Sequence, residues 1–296
     1  MSSIGAGIRN KLMRVDQLLK KGTTALRAAG IPSPRVDAEV LLSFVLGCDR
    51  LALYREPGRE IAAAQVARFE ELVARRAAGE PVAYLTGEKE FMGLRFTVTP
   101  AVLIPRPETE LLVETAVSLL AGTAAPVVAD VGTGSGAVAV SLAVILPAAQ
   151  VMAVDVSAAA LAVARENACR HGVADRVAFY QGDLLVPFLA GGKAFDLVAA
   201  NLPYVPSGEM AGLPGPVRYE PALALDGGPD GLALYRCLVP QAARVLRPGG
   251  HLLMEIDPRQ SEAVLALLPA LTWRARTVPD LTGRTRLVAA ALRRGE

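Results

Sequence analysis

Asn201-Leu202-Pro203-Tyr204 closes an apolar run, Leu197-Val198-Ala199-Ala200. An amide, a backbone carbonyl, a rigid ring and a phenol at one strand tip have the parts to hold a planar nitrogen group. Taken alone, the stretch fits better a buried strand that breaks at a proline turn.

A second stretch, from Val127 to Val140, reads as a buried strand, a glycine-rich turn and a helix. Gly132, Gly134 and Gly136, with Thr133 and Ser135 between them, let the backbone approach a ligand closely, and the helix start offers N–H groups. The spacing is G-x-G-x-G, not the G-x-G-x-x-G of dinucleotide sites. Asp130 adds a carboxylate at the strand end, where a pyrophosphate is repelled and a cationic ligand favoured. A plain tight turn stays open for this segment alone. The next strand ends in Asp155, 19 residues after Gly136, where a carboxylate accepts two hydrogen bonds from a ribose diol. The third ends at Gln181-Gly182-Asp183-Leu184, with Asp183 where an adenine amino group would lie. Each aspartate alone fits a surface or capping role. Together, at successive strand ends, they mark the rim where open parallel sheets bind ligands, and Asn201 ends a fourth strand on that rim.

Such a rim needs a parallel sheet. After Ala125, strands expected at 126–131, 150–155, 176–180, 195–200 and 250–256 alternate with helices near 135–146, 157–171, 229–246 and 259–268. Runs at 271–278 and 285–292, joined by a turn at Gly283, are expected to close the sheet as a terminal hairpin with one antiparallel strand. Ahead of the sheet, 15–31, 34–47 and 60–80 carry helical periodicity, and 88–99 reads as a β-hairpin turning at Gly93. The prolines of 103–120 halt a strand before an amphipathic helix whose start holds Glu108, Thr109 and Glu110.

Composition narrows the classes. The 296 residues are 52% hydrophobic and 20% charged, as in a globular protein with a large core. A net charge of +2 and 5% aromatic content supply neither a basic channel nor a stacking platform for nucleic acid. Cys48, Cys169 and Cys237 form neither a metal spacing nor a disulfide framework and are expected as reduced core thiols of a cytoplasmic protein. Residues 1–21 lack the apolar core of a signal peptide. Residues 136–154, apolar but divided by Pro147 and Gln150, are expected as a buried helix and strand instead of a membrane span. No metal site is visible, His171 and His251 read as structural, and Trp273 reads as core.

The glycine loop, the acidic strand ends and the tetrapeptide at 201–204 resemble the class I S-adenosylmethionine-dependent methyltransferases, Rossmann-like folds. The tetrapeptide is similar to the Asn-Pro-Pro-Tyr signature of those that methylate planar amino groups. "LIPRPETE" (103–110), "DVGTGSGA" (130–137), "NLPY" (201–204), "YEPALALDGGPDGL" (219–232) and "RPGGHLLMEI" (247–256) follow in that order behind a helical third. In this the chain resembles the HemK family, the glutamine methyltransferases of peptide-chain release factors. Leu202 stands where the family usually has proline, and Asp257-Pro258 where it usually has glycine, the latter expected off the active rim.

The resemblance implies S-adenosyl-L-methionine as cofactor, held by Asp130, Gly132, Thr133, Gly134, Ser135, Gly136, Asp155, Asp183, Leu184 and Asn201. It implies class-1 release factors as partners, with transfer to the N5 amide nitrogen of the glutamine in their Gly-Gly-Gln motif. Asn201 Oδ1 and the carbonyl of Leu202 become acceptors for the substrate NH₂, with Pro203 stiffening the loop, Tyr204 packing on the amide, and Arg106 shaping the entrance. Leucine keeps the carbonyl and loses only the fixed φ of proline. Residues 1–81 are expected as a helical release-factor-recognition domain, 82–102 as a β-hairpin linker and 103–296 as the catalytic domain. A monomer without direct nucleic-acid or membrane contact is expected. An adenine N6-methyltransferase of nucleic acid, a nicotinamide-dependent dehydrogenase and a non-catalytic cofactor-binding module are the competing readings.

Overall fold

Val15, Leu18, Leu19 and Leu26 fall on one side of a helix, and that side is buried. The computed structural model describes residues 13–191 and 195–294, divided between two units.

The first unit spans Met1–Gly87 and takes in Gly215–Tyr219. In it β1 (Met13–Arg14) leads into α1 (Val15–Ala28), α2 (Pro34–Leu46) and α3 (Arg50–Arg55). Then come β2 (Glu60–Ile61), α4 (Ala63–Ala77) and α5 (Val82–Thr86). Pro34 opens α2 where its missing N–H costs nothing, and Gly47 closes it at φ 63°. Leu18 and Leu26 of α1 pack with Leu41 and Leu42 of α2 and with Phe69 and Leu72 of α4, each buried side chain contributing about 1.5–3 kcal/mol. A Cβ on Gly22 would lie 2.6 Å from Phe69 Cζ, so α1 and α4 meet this closely only over a glycine.

The second unit, Glu88–Pro214 with Glu220–Glu296, begins with the hairpin β3 (Glu88–Phe91) and β4 (Leu94–Thr97). α6 (Glu110–Leu120), β5 (Val127–Val131), α7 (Ala137–Ile145), β6 (Gln150–Asp155) and α8 (Ala158–Arg170) follow. The chain continues through β7 (Val177–Gln181), β8 (Phe195–Ala200), α9 (Ala233–Val245), β9 (Leu246–Glu255) and α10 (Ser261–Ala266) to β10 (Trp273–Pro279) and β11 (Thr285–Leu292). One seven-stranded sheet runs β10-β11-β9-β8-β5-β6-β7. β5 through β9 pair in parallel, and β11 alone runs the other way, antiparallel to both β9 and β10. Apolar cores cover both faces, so β8 is buried at every position.

Three expectations shift. The hairpin is not a linker, because it packs in the second unit on α8. There Asn167 Oδ1 accepts the Thr97 amide at 2.7 Å, Arg170 pairs with Glu88 at 2.5 Å, and a His171 ring nitrogen meets Arg95 O at 2.8 Å. The cysteines are not core thiols, since Cys169 and Cys237 are exposed and Cys48 is half-buried. α9 starts at Ala233, after Gly231 at φ 76° has ended a loop that the helical periodicity did not register. Residues 136–154 form α7 and β6, and among the described residues no helix is long and apolar enough to cross a membrane.

Candidate active site at the carboxyl ends of the sheet

Because β7, β6, β5 and β8 lie side by side in parallel, their C-terminal ends bring Asp183, Asp155, the glycine loop and Asn201 to one rim. A cavity of about 270 Å³ opens there. Gly132, Gly134, Asp155, Asp183, Leu184, Asn201, Leu202 and Pro203 line it on the sheet side. Ala101–Leu103 and the segment from Pro221 to Ala224 line it opposite.

The loop after β5 is tied to its neighbours by backbone. Gly132 N and Thr133 N both donate to Val154 O, at 2.9 and 3.1 Å. Asp155 then holds the loop through its side chain, Oδ2 accepting from Gly134 N and Oδ1 from Ser157 N, each at 2.9 Å. Each carboxylate oxygen retains a lone pair for a further donor. Gly136 starts α7 at φ 79°, and a Cβ there would lie 3.0 Å from Ala164 Cβ of α8. Leu184 adopts φ 48°, an uncommon conformation for a branched residue, which turns the chain at the cavity wall.

Several expected cofactor residues are loop supports and not cavity walls. Asp130 is 2% exposed, and its Oδ2 accepts from Thr133 Oγ1 at 2.6 Å and Ala139 N at 3.1 Å. Burial pushes this carboxyl up to about 6, against those two donors. Asp130 therefore braces the loop from within and is not among the residues that line the cavity. Thr133 and Ser135 are buried, and Asn167 Nδ2 donates to Ser135 O at 2.9 Å.

At the tip of β8, Asn201 Nδ2 donates to Thr109 Oγ1 at 3.0 Å. With the nitrogen end so engaged, Oδ1 is the end left to accept. The Leu202 carbonyl receives only a long contact from Tyr235 Oη, 3.4 Å, because that hydroxyl donates to Glu255 O. Tyr204 does not line the cavity. Its ring packs on the core beneath the sheet end, and burial, with Glu255 nearby, raises its hydroxyl to about 12. Arg106 is likewise off the cavity, paired at 2.5 Å with the buried Glu220 carboxylate, which also accepts Ile104 N at 3.2 Å. Glu220 thereby fastens the strap that carries Leu103 over the cavity.

The segment Asp226–Gly231 buttresses the tip. Val205 N donates to Leu225 O and Gly227 N to Val205 O, at 3.0 and 2.8 Å. A Cβ on Gly231 would lie 2.2 Å from Tyr204 O, and one on Gly227 2.6 Å from Pro203 O. Gln260 Nε2 donates to Tyr204 O at 2.9 Å. These glycines, with Thr109, Glu255 and Glu220, stand in motifs visible in the sequence, but their partners lie far along the chain and their supporting roles do not show there. Gln260 carries no signal at all. Asp257, expected off the rim, sits within the electrostatic reach of Tyr204.

The seven-stranded sheet with one reversed strand, its glycine loop after β5 and its carboxylate after β6 define a class I methyltransferase. The family model described as a methyltransferase domain matches residues 123–273, and that of the PrmC N-terminal domain residues 17–87. The release factor glutamine methyltransferase of Moorella thermoacetica is 49% identical over 94% of this chain and 98% of its own. That of Deinococcus radiodurans is 45% identical over 94% and 98%, and that of Cereibacter sphaeroides 43% over 95% and 99%. The chain belongs to the release factor glutamine methyltransferase family.

Proposed function

We propose that this chain transfers a methyl group from S-adenosyl-L-methionine to the side-chain amide nitrogen of the glutamine in the Gly-Gly-Gln motif of class-1 peptide-chain release factors. The observation that carries the reading is the Asn201 amide, engaged by Thr109 through nitrogen and left with an acceptor oxygen on the same rim as Asp155. The names of relatives that match along nearly the whole chain supply the substrate.

The residues present fit the cofactor. Asp155 offers lone pairs to a ribose diol, and the cavity wall is otherwise largely apolar, as a purine and an aliphatic chain require. Gly134 N, which a pyrophosphate would need, is already donated to Asp155, and that carboxylate repels phosphate. This disfavours a nicotinamide-dependent dehydrogenase. Net charge of +2 disfavours an adenine methyltransferase acting on nucleic acid. When bound, the cofactor supplies a methyl group on a positively charged sulfur.

The chain's own work is placement. An amide nitrogen is a weak nucleophile, and no side-chain base removes its proton beforehand at neutral pH. Asn201 Oδ1 and the Leu202 carbonyl take the two N–H hydrogens, aiming the nitrogen and favouring the positive charge that develops on it as the new bond forms. Pro203 follows Leu202 and biases it toward the extended conformation that presents the carbonyl. Leu103 and the Pro221–Ala224 segment exclude water from the opposite side. Incubation with labelled cofactor and a release factor, followed by peptide mass mapping, tests the reading: label is expected on the Gly-Gly-Gln glutamine, and label elsewhere or none overturns it.

A further inference from the structure

Asn201 does not orient itself. A side-chain amide presents oxygen or nitrogen with nearly equal shape, and the wrong end toward a substrate NH₂ is repulsive. Something must choose, and the choice is legible behind the site.

Thr109 lies between the strap and α6, at the N-cap of that helix. A threonine there ordinarily accepts a hydrogen bond from the first turn, yet Thr109 makes no cap bond. It is 4% exposed, and its hydroxyl oxygen instead accepts from Asn201 Nδ2 at 3.0 Å, while the hydroxyl lies near enough to the Glu255 carboxyl to favour its charged form. Glu255, at the end of β9, is 2% exposed, and among the described residues its Oε2 has no hydrogen-bond partner. A carboxyl buried in this state is costly, and neither the cofactor cavity nor the sheet needs one.

We propose that Glu255 and Thr109 are positioning residues that fix the Asn201 amide with its oxygen toward the substrate, an inference that rests on Asn201 being the acceptor for the substrate amide. A hydroxyl carries one proton. When the Thr109 hydroxyl donates its hydrogen bond to the Glu255 carboxylate, its oxygen can only accept from Asn201, so it selects the Nδ2 end of Asn201 and turns Oδ1 outward. A protonated Glu255 can donate to Thr109 instead, and the selection is lost. Arg106 and Glu108 of the strap, Arg286 of β11, Tyr204 of the tip and Tyr235 of α9 surround the carboxyl. Burial outweighs the two arginines and lifts it to about 7, so both states are reached near neutrality.

The test compares wild type, Thr109→Val, Thr109→Ser, Glu255→Gln and Asn201→Ala. Methyl transfer to a release factor is followed as kcat and KM, and S-adenosylhomocysteine binding by calorimetry. Thr109→Val is expected to lower kcat between about 10- and 10²-fold, with KM and cofactor affinity within about twofold. Thr109→Ser, which keeps the hydroxyl, should restore kcat to within about threefold of wild type. Wild-type kcat should fall as pH drops through about 7, and Glu255→Gln should not follow it. A fully active Thr109→Val, a Thr109→Ser as impaired as the valine variant, or superimposable pH profiles overturns the positioning role. An active Asn201→Ala instead overturns the acceptor reading beneath it.

Discussion

Asp155 holds Gly134: the carboxylate at the tip of β6 accepts the loop amide at 2.9 Å, and so binds the second strand to the turn after the first. The same group is the one expected to meet a ribose. On the proposed reading, ligand recognition and loop order share one side chain.

Asp155→Ala is expected to weaken S-adenosylhomocysteine binding by about 1.5–3 kcal/mol through lost charge-assisted hydrogen bonds, and further by freeing the loop. Asp155→Asn keeps one acceptor oxygen for Gly134 and should lose less. Calorimetric affinities for both variants check this, and an unchanged value for the alanine variant with the fold intact would remove Asp155 from the site.

Asn201→Ala deletes an acceptor that matters only once the substrate amide is in place. Cofactor affinity should stay near wild type while methyl transfer drops about 10²-fold or more, by analogy with removal of one preorganised polar group. Single-turnover rates with labelled cofactor measure it, and a near-normal rate would defeat the placement mechanism.

Much of the rim was legible because parallel strands buried on both faces read as continuous apolar runs, and each ends where the first polar residue stands. Asp155 and Asn201 are such residues, Asp183 follows two positions after the end of the edge strand β7, and all three line the cavity. Asp130 ends a strand too, but which way its carboxylate turns depends on Thr133 and Ala139 inside the loop. Periodicity carries no information on that. Thr109 meets Asn201 92 positions along the chain, and Glu255 reaches back to the same Thr109, so neither pairing leaves a local trace. The resemblance alone implied that Tyr204 packs on the substrate amide, and its sequence neighbours give no hint that the ring also packs, partly buried, against the core. The hairpin at 88–97 has no sequence feature naming α8 as its support, so its grouping with the sheet emerged only from Asn167 and Arg170.

Gly231→Ala should disturb the tip without touching the cavity. Its φ of 76° and the 2.2 Å approach of Tyr204 O leave no room for a Cβ. A loss of roughly 1–3 kcal/mol is expected from strain at such a position, with kcat falling because Tyr204 and Pro203 move. Thermal melts and rates together check it. A variant with unchanged melting temperature and rate would show that the buttress is dispensable.

Glu255 and Asp130 make stability pH-dependent with a definite sign. Burial raises them from 4.5 to about 7 and from 3.8 to about 6. Between the ordinary and the raised values, the folded chain holds protons that the unfolded chain has lost. The stability they confer is complete below the ordinary carboxyl range and disappears as pH rises through 6 to 7. Glu255→Gln stays neutral throughout, so it should melt above wild type near pH 8 and converge with it near pH 4–5, to about half a unit. Melting curves across that range decide it, and equal stability near pH 8 would mean that the charge is compensated.

The helical unit should govern the protein substrate more than the cofactor. Every residue that lines the cavity lies in the second unit, whereas the first carries none of the groups assigned to chemistry. It does expose Val36 and Phe44 on α2 and Leu51 and Tyr54 on α3, each between 45% and 63% accessible, large apolar side chains of the kind that suits contact with another protein. The buried Glu39 carboxylate of α2 accepts from Arg35, Arg50 and Tyr54, which ties α3 to α2. A Phe44→Ser, Leu51→Ser double variant leaves the core of the unit untouched, since neither side chain belongs to it and they are 46% and 63% exposed. It should raise KM for the intact release factor by about tenfold or more, while KM for a short Gly-Gly-Gln peptide and affinity for S-adenosylhomocysteine hold. Deleting residues 1–80 should have the same selectivity in stronger form. Equal losses on protein and peptide would assign the unit to support of the catalytic fold, and no loss on either would end its docking role.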